Sequence, residues 1–172
     1  PQLKVKLNGS IDRIFGEYFI PYHVGSNRFK HQWQQSLSYL ALLQEEPQMR
    51  LQYISLNDGC LSPSKTPSPE SVTQALSSLI ELYLEGLKAP LPFFNECFAA
   101  YAKTRLKKDH EIALSTAKKE WLPKDFGSYP SESQDEINQL CFGKEFPSES
   151  ASPIFAQIHS IYQGIWNPEI KS

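Results

Sequence analysis

Asp12, Pro21 and His23 mark the stretch of this chain where residue types and spacing suggest chemistry. The run Leu7-Asn8-Gly9-Ser10-Ile11-Asp12-Arg13-Ile14 is followed by Ile20-Pro21-Tyr22-His23-Val24-Gly25. When a strand ends on an Asp and a second strand carries an acid, a spacer and a Lys, two carboxylates can hold Mg²⁺. The Lys then helps to activate a water. Here only the first acid is present, as Asp12. Pro21 occupies the second acid position and has no ligand atom in its side chain. His23 occupies the Lys position. A single carboxylate is a weak Mg²⁺ site. Asp12 is therefore expected to be a strand-end residue bonded to nearby backbone, and His23 a surface strand histidine.

Two further patterns bear on nucleic acid. Gln35 and Tyr39 lie one helical turn apart, so they share a face. Beside such a hairpin, that face would orient a nucleic-acid strand. Alone, the spacing describes any amphipathic helix. Lys103, Arg105, Lys107, Lys108, Lys118 and Lys119 gather positive charge on two consecutive helical segments. They read either as phosphate contacts or as a solvated face balanced by Glu111 and Glu120.

Other chemistry is not visible. His23, His31, His110 and His159, and Cys60, Cys97 and Cys141, lack metal-ligand spacing, so no metal and no cofactor are expected. No Gly-Lys-Ser/Thr phosphate loop and no Ser/His/Asp arrangement are legible. Trp33, Trp121 and Trp166 fall on apolar helix faces and are expected in the core.

The elements that must position these residues follow from periodicity. Leu3, Val5 and Leu7 alternate with polar residues as in a strand. Gly9 marks a bulge, Ile11 to Phe15 continues the strand, and Gly16-Glu17 turns it. Tyr18 to Val24 returns, with Pro21 confining it to an edge or breaking its ladder. A helix to about Glu45 places Phe29, Trp33, Leu37, Leu40 and Leu43 on one side. Met49 to Leu56 is a third strand, ended by Asn57-Asp58-Gly59.

The polar run Ser62 to Pro69 contains an N-cap signal, Ser68-Pro69. It opens a helix to Leu87 whose inner side carries Val72, Ala75, Leu76, Leu79, Ile80, Tyr83 and Leu87. Helices are then expected over Asn95 to Lys107, Asp109 to Leu122 and Gln134 to Cys141. Polar loops cover 123–133 and 143–152, and Ser152-Pro153 begins a last helix. The order gives an α/β (α+β) core with a small mixed sheet and added C-terminal helices.

With 172 residues, 40% of them apolar and 21% charged, the chain is expected to form one globular, soluble domain. A net charge of −2 gives no global nucleic-acid signal. Three widely spaced cysteines favour free thiols in a reducing cytoplasm. No apolar run has transmembrane length, so no membrane is expected. Pro1 stands directly before a strand-like run, as expected of a fragment cut from a longer polypeptide.

The order Gly9-x-Ile11-Asp12-Arg13-Ile14, Pro21-Tyr22-His23-x-Gly25 and Gln35-x-x-x-Tyr39 resembles the RecB-type nuclease superfamily. There the second block normally reads Asp-Tyr-Lys. The block Leu79 to Phe94, with Tyr83-x-x-Gly86-Leu87-x-x-Pro90-Leu91-Pro92, resembles the C-terminal domain of the RecC family. That family is the gamma chain of exodeoxyribonuclease V. Trp33 to Leu43 and Ala113 to Trp121 fit the same region.

The resemblance implies a restriction-endonuclease-like fold whose catalytic positions, Asp12, Pro21, His23, Gln35 and Tyr39, are degenerate. It implies one nuclease-like domain over 1–172, with the hairpin, helix and strand in 1–60 and a helical part in 68–172. It also implies a heterotrimer with a RecB-like helicase–nuclease subunit and a RecD-like helicase subunit acting on double-stranded DNA ends. A non-catalytic scaffold is the leading expectation. The alternatives are an active nuclease pairing Asp12 with a migrated acid, Glu45 or Glu46, and a module that only docks proteins.

Overall fold

Phe19, Leu51, Tyr53 and Ser55 are buried between more exposed neighbours, and this two-residue period builds two small mixed sheets of three strands each. The computed structural model describes residues 5–6, 8–25, 29–57, 59–123 and 130–166. The strand expected over Leu3 to Leu7 falls mostly outside the described residues, and Val5 and Lys6 are not in a strand. The strands are β1 (Ile14–Phe15), β2 (Tyr18–Phe19), β3 (Tyr22–His23), β4 (Arg50–Leu51), β5 (Tyr53–Ser55) and β6 (Gly59–Leu61).

β1 and β2 form an antiparallel hairpin, with Gly16 at φ 60° in the turn. β2 runs parallel to β4, and β3 runs parallel to β5. The expected strand from Tyr18 to Val24 is therefore split in two, as is the one from Met49 to Leu56. The cause is Pro21. The parallel register would send its N–H to the Gln52 carbonyl, and proline has none. On the other side of the exchange the ladder is unbroken. The amides of Arg50, Gln52, Ile54 and Leu56 donate to the carbonyls of Glu17, Phe19, Pro21 and His23 at 2.8–3.2 Å. β6 was not expected. Gly59, at φ 78°, lets the chain return antiparallel to β5.

The helices are α1 (Phe29–Glu45), α2 (Pro69–Lys88), α3 (Asn95–Arg105), α4 (His110–Trp121), α5 (Glu136–Phe142) and α6 (Ser148–Trp166). Ser68 caps α2 by accepting from the Ser71 amide at 3.3 Å, with Pro69 at the first helical position. Asp109 and Asp135 cap α4 and α5 in the same way, each at 2.9 Å.

Three expectations need correction. The short helix expected at Gln134 to Cys141 is a 3-10 turn (Glu132–Gln134) followed by α5. α6 begins at Ser148, within the expected 143–152 loop, and takes Pro153 into its second turn. The inner stripe of α2 is only partly covered: Val72 is its one fully buried residue, while Tyr83 and Leu87 are exposed. On α1 the core face is Ser36, Tyr39, Leu40 and Leu43, and Leu37 lies outside it.

Two hydrophobic cores result. On the sheet side, Phe19, Leu51 and Tyr53 meet Tyr39, Leu40 and Leu43 of α1, Val72 of α2, and Ile161, Ile165 and Trp166 of α6. On the helical side, Phe94, Phe98 and Tyr101 meet Ala113, Ala117 and Trp121 of α4, Phe146, and Phe155 and Ile158 of α6. Trp33 packs against both cores. The fold is α+β. Among the described residues, no helix is long and apolar enough to cross a membrane.

Candidate functional site

Asp12 precedes β1 rather than ending a strand. Its side chain is 89% exposed, and its carboxylate lies 3.8 Å from Arg13 Nε. Arg13 has φ 66°, in the left-handed region that non-glycine residues rarely adopt. Its guanidinium sits 4.3 Å from the centre of the Tyr22 ring, and Nη1 donates to the Tyr22 carbonyl at 3.4 Å. These contacts hold the otherwise strained turn. They also make Asp12 part of a surface Arg–Tyr arrangement.

Pro21, at the second acid position, is fully buried, and its carbonyl accepts from the Ile54 amide at 2.9 Å. It is a core residue of the sheet. His23 is not the simple surface histidine expected. It is half-buried, and its ring stacks on His31 of α1 with centroids 3.7 Å apart. The hairpin thus presents Asp12 outward, Pro21 inward and His23 against α1.

Gln35 is half-buried. Tyr39 is buried, and its hydroxyl donates to the Met49 carbonyl at 3.0 Å. Burial raises the Tyr39 phenol above its ordinary pKa. Its phenol is therefore committed to joining α1 to the chain entering β4. Glu45 and Glu46, the acids that a migrated site would use, are exposed at the end of α1. Among the described residues, no group of three or more His, Cys, Asp and Glu is placed to hold a metal ion.

The basic residues lie on the antiparallel pair α3 and α4. Lys103 and Arg105 end α3, Lys107 and Lys108 follow in the connection, and Lys118 and Lys119 lie in the last turn of α4. Eight or nine residues of helix separate the last two from the connection, about 12 Å along the axis. The six cations therefore form two groups, both at helix C-termini where positive charge is favourable. Lys103, Lys107, Lys108, Lys118 and Lys119 are exposed. Arg105 is half-buried and donates from Nη1 to the Lys108 carbonyl at 2.7 Å, so part of its role is to close the turn.

Sequence spacing did not reveal a polar relay behind this pair. His110 Nδ1 lies 2.8 Å from the Tyr101 hydroxyl, and its Nε2 lies 2.7 Å from Ser152 Oγ. The imidazole thereby links α3, α4 and α6. His159 lies beside it, 5.7 Å from the Tyr101 ring in an edge-on contact. Burial, helped by the charge of Arg105, depresses the His159 pKa to about 4. The signal missed was tertiary, because residues 101, 110, 152 and 159 share no local motif.

The three cysteines are free thiols. Cys97 is buried, and burial reinforced by Glu132 pushes its thiol pKa far up, which makes it unreactive.

A family model described as the RecC C-terminal domain matches residues 2–106. No curated protein matches the chain.

Proposed function

Because the chain belongs to the RecC C-terminal domain family, we propose that it is a non-catalytic, nuclease-like domain of the exodeoxyribonuclease V gamma subunit. In this reading it contributes to DNA-end binding, strand separation and subunit docking in the repair of double-strand breaks by recombination. The family works in a complex with RecB and RecD. The proposed setting is cytoplasmic, and the whole of 1–172 acts as one domain.

Pro21 carries the reading. A metal-dependent nuclease needs a second carboxylate near the first. At that position this chain has a buried proline whose role is packing and backbone pairing. Restoring an acid there would place an unpaired charge in the sheet-side core, which is costly.

Two surfaces support binding roles. The lysines on α3, α4 and their connection offer contacts to phosphates without sequence preference. The outer face of the sheet exposes Phe15, Tyr22, Val24, Ile54 and Leu56. Exposed aromatic and aliphatic residues grouped on one sheet face are the material of subunit interfaces.

The test has two parts. The full chain, incubated with Mg²⁺ and linear duplex, is expected to leave the DNA intact. Degradation that Asp12→Ala abolishes would overturn the non-catalytic reading. Fluorescence anisotropy with a forked duplex is expected to show binding that weakens with salt. Replacing Lys118 and Lys119 by Gln should lower the salt slope by about 2, at roughly one per phosphate contact. Salt-insensitive or absent binding would leave docking alone.

A further inference from the structure

A cavity of about 360 Å³ lies between β4 and the segment Ser62 to Thr66. It is lined by Tyr18, Arg50, Ser62, Ser64, Lys65 and Thr66, among others. Among the described residues, no carboxylate lines it. We propose that this cavity binds a phosphate ester of a nucleotide unit. Arg50 and Lys65 would meet the phosphate, Ser62 would add a hydroxyl contact, and Tyr18 would stack on the base.

Three observations support this. The first is chemical. An Arg fork, an ammonium and several hydroxyls around one space match the charge and acceptor geometry of a phosphate. The absence of a lining acid leaves the two cations with no carboxylate inside the cavity to neutralise them.

The second is positional. Arg50 is rooted in β4, where its amide donates to the Glu17 carbonyl at 2.8 Å, and its guanidinium lies 6.0 Å from the Tyr18 ring centre. Tyr18 is paired with Arg50 across the parallel ladder. The guanidinium lies over the Tyr18 ring, so a base stacked there would take its place and leave Arg50 to meet the phosphate. Base–aromatic stacking of this kind tolerates any base.

The third is construction. Pro63 and Pro67 restrict the backbone of the segment. Its far end is fixed by the Ser68 cap on α2, and Tyr39 lines the inner side with its hydroxyl bonded to Met49. The volume falls in the range of small-ligand sites, about 300–1,000 Å³.

The site stands apart from the basic helices, since none of its residues belongs to α3 or α4. The phosphate could come from a DNA strand terminus or from a free nucleotide, and the test separates the two. The full chain, isotopically labelled, would be titrated by NMR with inorganic phosphate and with thymidine 5′-monophosphate. The expected result is chemical-shift change at Arg50, Ser64, Lys65 and Thr66.

The pair Arg50→Gln with Lys65→Gln should weaken nucleotide binding at least about tenfold, because two charge-assisted contacts are lost. Both side chains are exposed, so the fold should be unaffected, and the unchanged dispersion of the remaining resonances would confirm it. Tyr18→Leu should weaken the nucleotide but leave inorganic phosphate unchanged. A single strand that binds more tightly when 5′-phosphorylated identifies the strand terminus as the source. A strand indifferent to that phosphate, with the nucleotide still bound, identifies the free nucleotide.

The proposal is overturned if neither phosphate nor nucleotide shifts these amides, or if the double variant binds like the parent chain. Lys118→Gln with Lys119→Gln leaves the pocket shifts intact in either case, so failure here is distinct from failure of the DNA-contact reading.

Discussion

The sheet-side core and the helical-side core are stabilised differently. On the sheet side, polar groups are buried and bonded across elements. Trp166 Nε1 donates to Ser36 Oγ at 2.7 Å, Ser36 Oγ donates to the Gln32 carbonyl at 2.8 Å, and the Tyr162 hydroxyl donates to Gln32 at 2.7 Å. On the helical side, rings add to the Tyr101–His110–Ser152 bonds: Phe94, Phe98, Tyr101, Trp121, Phe146 and Phe155 form a chain of tilted and edge-on contacts at 4.6–6.1 Å. Hydrogen bonds specify a unique arrangement, whereas aromatic burial supplies the larger driving force. The hairpin that carries Asp12 and Phe19 lies on the sheet side.

α6 joins the two cores. Phe155 and Ile158 lie in the helical core, while Ile161, Ile165 and Trp166 lie in the sheet-side core. The family match ends at residue 106, yet both cores need residues beyond it. Phe155→Ala should therefore cost about 3–5 kcal/mol, the usual loss for a buried ring. Urea unfolding followed by near-ultraviolet and far-ultraviolet circular dichroism should still give a single transition. Two separated transitions would mean that the cores are independent.

A pH series separates the regions next. His159 belongs to the helical side, and its buried imidazole Nε2 has no hydrogen-bond partner among the described residues. Its folded pKa of about 4 lies below the ordinary 6.5. As pH falls, the unfolded chain takes up this proton first, so stability rises with pH between the two values. The contribution is complete above about pH 6.5 and is lost on the way down to about pH 4, by up to about 3 kcal/mol. His159→Leu should flatten this part of the pH–stability curve. An unchanged slope in the variant would assign the acid loss elsewhere.

The remaining two changes are smaller. Phe94 stands at the N-cap of α3 and makes no side-chain bond there. Glu132 instead reaches across to accept from the amides of Glu96 at 3.1 Å and Cys97 at 3.0 Å. Glu132→Ala should cost about 1–2 kcal/mol, as for loss of an N-cap. It should also open the Cys97 thiol to alkylation, read by mass spectrometry. On the sheet side, Ser36→Ala leaves Trp166 Nε1 without its acceptor and should cost about 1 kcal/mol. A larger loss from Ser36→Ala than from Glu132→Ala would reverse the comparison.

Much of the local architecture was legible. Ser68-Pro69, Asp109 and the periodicities of α1, α3 and α4 located their elements within a few residues. That Pro21 offers no ligand atom was legible too, because this holds in any fold. Less legible was which side of a helix would be covered. Leu37, Tyr83 and Leu87 continue apolar stripes, but they stay exposed among the described residues. Periodicity describes a helix, not its neighbours.

The sequence by itself determined the caps and the helix order. Each is decided within one turn of helix or one pair of residues. Only the tertiary structure decided that Glu132 caps α3, that His110 ties three helices together and that Arg50 and Lys65 share a cavity beside Tyr18. Those arrangements join residues 9 to 47 positions apart. They depend on strand register, on the return through β6 and on the path of α6 across both cores. No local pattern encodes such distances, because they are set by how the elements bury one another's faces.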